Sequence, residues 1–147
     1  MSVIVWDGKT LAADRQATCS DMAARVTKAR RLESGEVLAW TGDQEQGLAL
    51  ARWYEDGADR EKWPAFQKGT DWTRLIVADA DGVHFYDREP EQQRLEEPFA
   101  AWGSGRDFAI GAMAMGASAA KAVEVASMFN VHCGCGCDVF ELRPNVK

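Results

Sequence analysis

Serine at position 2 is the first residue whose chemistry can be read from its place in the chain. It is small enough for methionine aminopeptidase to remove Met1, which frees an α-amine on the residue that carries the hydroxyl. One residue then holds both a nucleophile and a base. An α-amine has an ordinary pKa of about 7.7 to 8.0, so near neutrality it can take the hydroxyl proton, directly or through a water, as an N-terminal threonine does. Taken alone, a Met-Ser start carries little weight. An acid is delivered to the same place, however, because Val3-Ile4-Val5-Trp6 and Thr10-Leu11-Ala12-Ala13 flank Asp7-Gly8, a strong hairpin signal. With Asp7-Gly8 as the two-residue loop, Trp6 pairs with Lys9, Val5 with Thr10 and Ser2 with Ala13, leaving Asp14 beside the chain's start.

Three other clusters could do chemistry and are better explained otherwise. His132-Cys133-Gly134-Cys135-Gly136-Cys137 alternates its thiols in one run, without the paired spacing of a zinc site or a second ligand pair. No metal is expected there. Neither His84 nor His132 falls in a motif that would activate Cys19, which reads as an ordinary thiol. Asp79-Ala80-Asp81-Gly82 lacks the later acidic ligand of a calcium loop and lies between two strand runs, so it reads as a hairpin turn.

The elements that must position Ser2 and Asp14 follow from the hydrophobic pattern. After the first hairpin, a strand is expected over residues 25–31, carrying Lys28, and a turn at Glu33-Ser34-Gly35-Glu36 leads into Val37-Leu38-Ala39-Trp40. Leu50, Trp53, Tyr54 and Gly57 fall at helical spacing, with Gly57 ending the helix. Residues 59–70 are polar, contain Pro64 and read as a loop or a poor helical turn. Leu75-Ile76-Val77-Ala78 and Val83-His84-Phe85-Tyr86 form a third hairpin, followed by a strand at Pro98-Phe99-Ala100-Ala101-Trp102. Gly103-Ser104-Gly105 opens an alanine-rich helical region, which Gly116 and an N-cap at Ser118 divide in two, and a last strand is expected over residues 138–142. Segregated runs of strands and helices predict an α+β fold with two antiparallel sheets and helices on their outer faces.

Composition sets the bounds. A chain of 147 residues is one domain's worth, and 46% hydrophobic with 27% charged residues argues against disorder. Seventeen basic against 23 acidic side chains give a net charge of −6, with no basic run longer than Arg30-Arg31, so neither nucleic acid nor an anionic membrane is expected as a partner. No apolar stretch is long enough to span a bilayer. The start lacks a basic leader and its apolar run is too short for a signal peptide, which predicts a cytoplasmic protein whose four cysteines are reduced. The six tryptophans are expected in the core or at a subunit interface.

Taken together, Ser2-Val3-Ile4-Val5, then Ala13-Asp14-Arg15-Gln16-Ala17-Thr18, Lys28-Ala29-Arg30-Arg31-Leu32, Thr41-Gly42-Asp43 and Gly103-Ser104-Gly105 resemble the N-terminal-nucleophile hydrolases of the proteasome β-subunit and HslV peptidase type. The resemblance implies one domain over residues 1–147 with a four-layer α-β-β-α sandwich of two antiparallel sheets. It implies peptide or amide hydrolysis through an acyl-enzyme, with no metal or organic cofactor. Ser2 stands where the family has its threonine nucleophile. Asp14 would orient Lys28, whose charge would keep the nucleophile's amine neutral. The Gly42 backbone N–H would meet the oxyanion, Thr18 would pair with an extended substrate, and Ser104 would hydrogen-bond around the amine. Peptide or unfolded-protein substrates, a homo-oligomeric ring and an ATP-dependent unfoldase as partner are further implications.

The chain also departs from this pattern. Where the family has Asp-x-x-Ser-Gly, this sequence has Asn130-Val131-His132-Cys133-Gly134, losing a charge at Asn130 and a strong hydrogen-bond donor at Cys133. Ser2 lacks threonine's rotamer-restricting methyl, and the middle of the chain is shorter. An alternative reading is therefore a proteasome-like homo-oligomeric scaffold with weak turnover or none.

Overall fold

A computed structural model of the chain describes residues 2–65 and 73–142. In chain order the strands are β1 (Ile4–Trp6), β2 (Thr10–Asp14), β3 (Gln16–Cys19), β4 (Met22–Arg25), β5 (Ala29–Arg31) and β6 (Val37–Thr41), followed by helix α1 (Gln44–Glu55). Next come β7 (Arg74–Asp79), β8 (Gly82–Tyr86), β9 (Gln93–Arg94) and β10 (Ala100–Trp102), the helices α2 (Arg106–Ala114) and α3 (Ala119–Phe129), and β11 (Cys137–Glu141). One antiparallel sheet has the order β10-β1-β2-β11 and the other β5-β6-β7-β8-β9, while β3 and β4 pair as a separate hairpin.

The four layers follow from strands that are apolar on both faces, which is what a sheet covered on both sides requires. Ile4, Trp6, Leu11 and Ala13 face inward and meet Val37, Ala39, Ile76 and Ala78 of the second sheet. The residues between them, Val3, Val5 and Ala12, point the other way onto Ala109, Ala122, Val123 and Ala126 of α2 and α3. On the far side, Leu38, Trp40, Leu75 and Val77 pack against Leu50, Ala51 and Trp53 of α1. The result is the expected α+β arrangement, with α2 and α3 on one sheet and α1 on the other.

Local signals set the helix ends. Asp43 caps α1 by accepting from Gln46 N at 2.9 Å, and Gly57 follows its end at φ +109°, a left-handed conformation that glycine adopts without strain. Ser118 caps α3 by accepting from Lys121 N at 3.2 Å. Asp79-Ala80-Asp81-Gly82 is the turn between β7 and β8, as its sequence suggests. Trp6, Trp40, Trp53 and Trp102 are buried. Among the described residues, no helix is long and apolar enough to cross a membrane.

Three expectations need correction. The first hairpin pairs Trp6 with Leu11 and Ile4 with Ala13, because Asp7 stands outside the loop and closes it by accepting from Lys9 N (3.1 Å) and Thr10 N (2.8 Å) through Oδ1. The expected strand over residues 25–31 is two strands with a break at 26–28, since Arg25 ends a β3–β4 hairpin that the sequence reading missed. The last strand begins at Cys137, one residue early. Residues 59–70, expected as a loop or a poor helical turn, contain a short 3-10 turn at Arg60–Lys62; residues 66–70 lie outside the described ones, as does Trp72.

Candidate active site

Ser2 lies two residues before β1, 1% exposed, and its Oγ has no hydrogen-bond partner among the described residues. A buried hydroxyl without a partner is unusual enough to require an explanation. Its carbonyl is held from the other side of the sheet by Gly105 N at 3.2 Å and Ser104 Oγ at 3.4 Å. Gly103 makes that approach feasible. At φ +100°, a Cβ there would lie 2.1 Å from the Ser2 carbonyl oxygen and 3.1 Å from its Oγ. Gly103→Ala should therefore displace Ser2 and cost about 2 to 3 kcal/mol in urea unfolding, from left-handed strain and overpacking. A loss within about 0.5 kcal/mol, the range of a neutral surface change, would show that the Ser2 backbone is not clasped there.

Asp14, at the end of β2, is fully buried and accepts four hydrogen bonds. Its Oδ1 takes Lys28 Nζ at 2.9 Å and Val3 N at 3.0 Å, and its Oδ2 takes Gly134 N at 3.1 Å and Gln16 N at 3.3 Å. A carboxylate so supplied is stable as the charged form in the interior. Lys28 is 4% exposed and reaches Asp14 from the break between β4 and β5, so a buried cation stands next to the residue that follows Ser2.

The residues after α3 close the site. Asn130 Nδ2 donates to the Ser104 carbonyl at 2.9 Å, and its Oδ1 accepts from His132 N at 2.8 Å. Both partners are backbone groups of fixed polarity, so the amide can point only one way. An aspartate here could not donate to Ser104. Cys133 is buried, with its Sγ 3.9 Å from Ser104 Oγ. Burial first, then the Asp14 charge, pushes its thiol up to about 11, against smaller opposing effects of Ser104 and Lys28. At neutral pH the group is a protonated thiol, a weak hydrogen-bond partner and not a competing nucleophile.

Gly42, at φ +90° between β6 and α1, lines a groove of about 280 Å³ together with Lys28, Thr18, Gln16, Asp43 and Gln44. Thr18 is on β3, half-buried, and accepts from Gln16 Nε2 at 3.2 Å. The structure thus gathers all the sequence-selected residues. Ser2, Asp14, Lys28, Ser104, Asn130 and Cys133 are linked by contacts or chain adjacency, and Gly42 and Thr18 border the groove beside Lys28. Three participants went unassigned from sequence. Gly103 and Gly134 were visible only as parts of motifs, and Gln16 sat unmarked between Asp14 and Thr18.

No family model matches the chain, and no curated protein matches it. Solved structures do. HslV from Trypanosoma brucei superimposes with a TM-score of 0.74 at 22% identity, over 97% of this chain and 98% of that one. Thiobacillus denitrificans BPH in complex with epoxomicin gives 0.71 at 20% identity, over 98% and 100%. A second structure of Thiobacillus denitrificans BPH gives 0.70 at 21%, over 98% and 99%. The chain has the proteasome β-subunit and HslV type of fold.

Proposed function

We propose that this chain is an N-terminal-nucleophile peptidase of the proteasome β-subunit and HslV type, with Ser2 as nucleophile after removal of Met1. Ser2 Oγ attacks the amide carbonyl while the residue's own α-amine takes the hydroxyl proton. Lys28, oriented by Asp14, disfavours a second positive charge beside it and keeps that amine neutral. The Gly42 N–H receives the developing oxyanion, and the protonated amine returns its proton to the leaving nitrogen. Water then hydrolyses the Ser2 ester, and the amine again serves as the base. No step calls for a metal or organic cofactor. A peptide lying along β3 at Thr18 would present its carbonyl to Ser2. The reading brings with it a cytoplasmic setting, a homo-oligomeric ring, unfolded-protein substrates and room for an ATP-dependent unfoldase.

The observation that carries this reading is the buried Ser2 hydroxyl, left without a partner among the described residues beside the buried Asp14–Lys28 pair. Asn130 and Cys133, two of the three departures that favoured an inactive scaffold, both contact Ser104. Epoxomicin provides the test, since the BPH fold neighbour was solved with it. Intact-mass analysis of purified protein should find Met1 absent and, after incubation, a single epoxomicin adduct whose fragments place it on Ser2. Retention of Met1 throughout the population, or an adduct elsewhere, would refute the mechanism.

A further inference from the structure

Gln16 is 7% exposed and spends its whole carboxamide on its own strand and on the turn after α3. Its Nε2 donates to the Val131 carbonyl at 2.8 Å and to Thr18 Oγ1 at 3.2 Å, and its Oε1 accepts the Cys135 thiol at 3.9 Å. Val131 can only accept, which fixes the orientation of the amide. The backbone N–H of the same residue donates to Asp14 Oδ2. On its other side, a Cβ on Gly134 would come within 2.7 Å of Gln16 Oε1, so Gly134 leaves the space that the carboxamide fills. Gly134 is also the residue whose N–H completes the Asp14 carboxylate. Cys135 follows in a left-handed conformation, φ +61°, and its carbonyl accepts from Arg25 Nε on β4 at 3.1 Å. Backbone strain of that kind persists only where surrounding contacts hold it. The turn after α3 is thus fastened to both strands of the β3–β4 hairpin, and Gln16 is the side chain that reaches it from β3.

We propose that Gln16 is a positioning residue for substrate, setting the β3 edge at Thr18 against the turn that completes the Asp14 site. This inference rests on the peptidase reading above. Gln16 touches neither the nucleophile nor Lys28 among its described contacts, so its loss acts on how substrate is held and leaves the reacting groups in place. Two hydrogen bonds from Nε2 and a weak one from the Cys135 thiol connect the parts, and losing the two from Nε2 amounts to about a tenfold change in an equilibrium constant.

Gln16→Met keeps the side-chain length and removes both donors. Epoxomicin inactivation should then need about tenfold more inhibitor for half-saturation, while the saturating rate stays within twofold of wild type. Peptide hydrolysis should show the same split, with KM raised and kcat kept. A merely structural role would lower both together or neither. An unchanged half-saturation, or a fall in the saturating rate alone, overturns the inference. If Gln16→Met does not fold by circular dichroism, Thr18→Val is measured instead, because it removes only the hydroxyl acceptor; a rise of about threefold in half-saturation supports the inference and none overturns it. A wild-type protein that epoxomicin does not label overturns the peptidase reading itself and this inference with it, a result distinct from any change confined to the variants.

Discussion

Replacing Asp14 by alanine should cost about 3 to 5 kcal/mol of stability, the usual penalty for breaking a buried ion pair by removing one partner. The substitution leaves the Lys28 ammonium buried without the carboxylate now 2.9 Å away. It also takes the acceptor from three backbone N–H groups, those of Val3, Gln16 and Gly134, which belong to three separate segments. Domains of this size are stable by only about 5 to 15 kcal/mol, so the loss should be plain in urea unfolding followed by tryptophan fluorescence. Removing both charges together, as Asp14→Asn with Lys28→Met, should cost less than the sum of the single changes, because neither leaves an uncompensated ion. A loss below about 1 kcal/mol for Asp14→Ala, the ordinary cost of one point mutation, would mean that water reaches the pair.

Ser2→Ala should abolish peptide hydrolysis, by a factor of roughly a thousand or more, with little change in stability. Alanine is also small enough for Met1 to be removed, so the α-amine stays and only the hydroxyl is lost. That hydroxyl is buried and has no partner among the described residues, and deleting such a group is nearly neutral or slightly stabilising. The combination separates the mechanism from its rival. A scaffold without turnover has no activity for Ser2→Ala to remove, and a thiol-based hydrolase working through Cys133 would keep its rate. Unchanged cleavage by Ser2→Ala, measured on one peptide with matched protein amounts, ends the assignment of Ser2.

Much of the site was legible because the relevant geometry is local. The hairpin register read from Asp7-Gly8 differs from the observed one by two residues, since Asp7 turned out to brace the loop from outside. A shift of two leaves every side chain on its expected face. Asp14 therefore still arrives beside the chain's start, its backbone N–H donating to the Val3 carbonyl at 3.1 Å. The β3–β4 hairpin was not legible for a related reason. Ala17, Ala23 and Ala24 give neither strand a marked apolar alternation, and its turn at Ser20 and Asp21 has no glycine, so Ser20 takes the left-handed conformation itself at φ 55°. The roles of Asn130 and Cys133 could be read only as losses, because a sequence pattern records which group is missing and not what the replacement touches.

By itself, then, the amino-acid sequence determined the layers and the placing of Asp14 beside the start of the chain, since both depend on periodicity and short turns within a few residues. Tertiary structure decided the rest. Ser104 lies against Ser2 across 102 positions, and Gly134 reaches Asp14 across 120. Such contacts exist only once α2 and α3 pack on the sheet, where Gly105 sits against Val3 and Ala126 with no room for a side chain. Which carboxylate collects four donors and which amide joins β3 to the turn after α3 are outcomes of that packing. Local preferences carry no record of partners a hundred residues away, so these features became visible only in the folded chain.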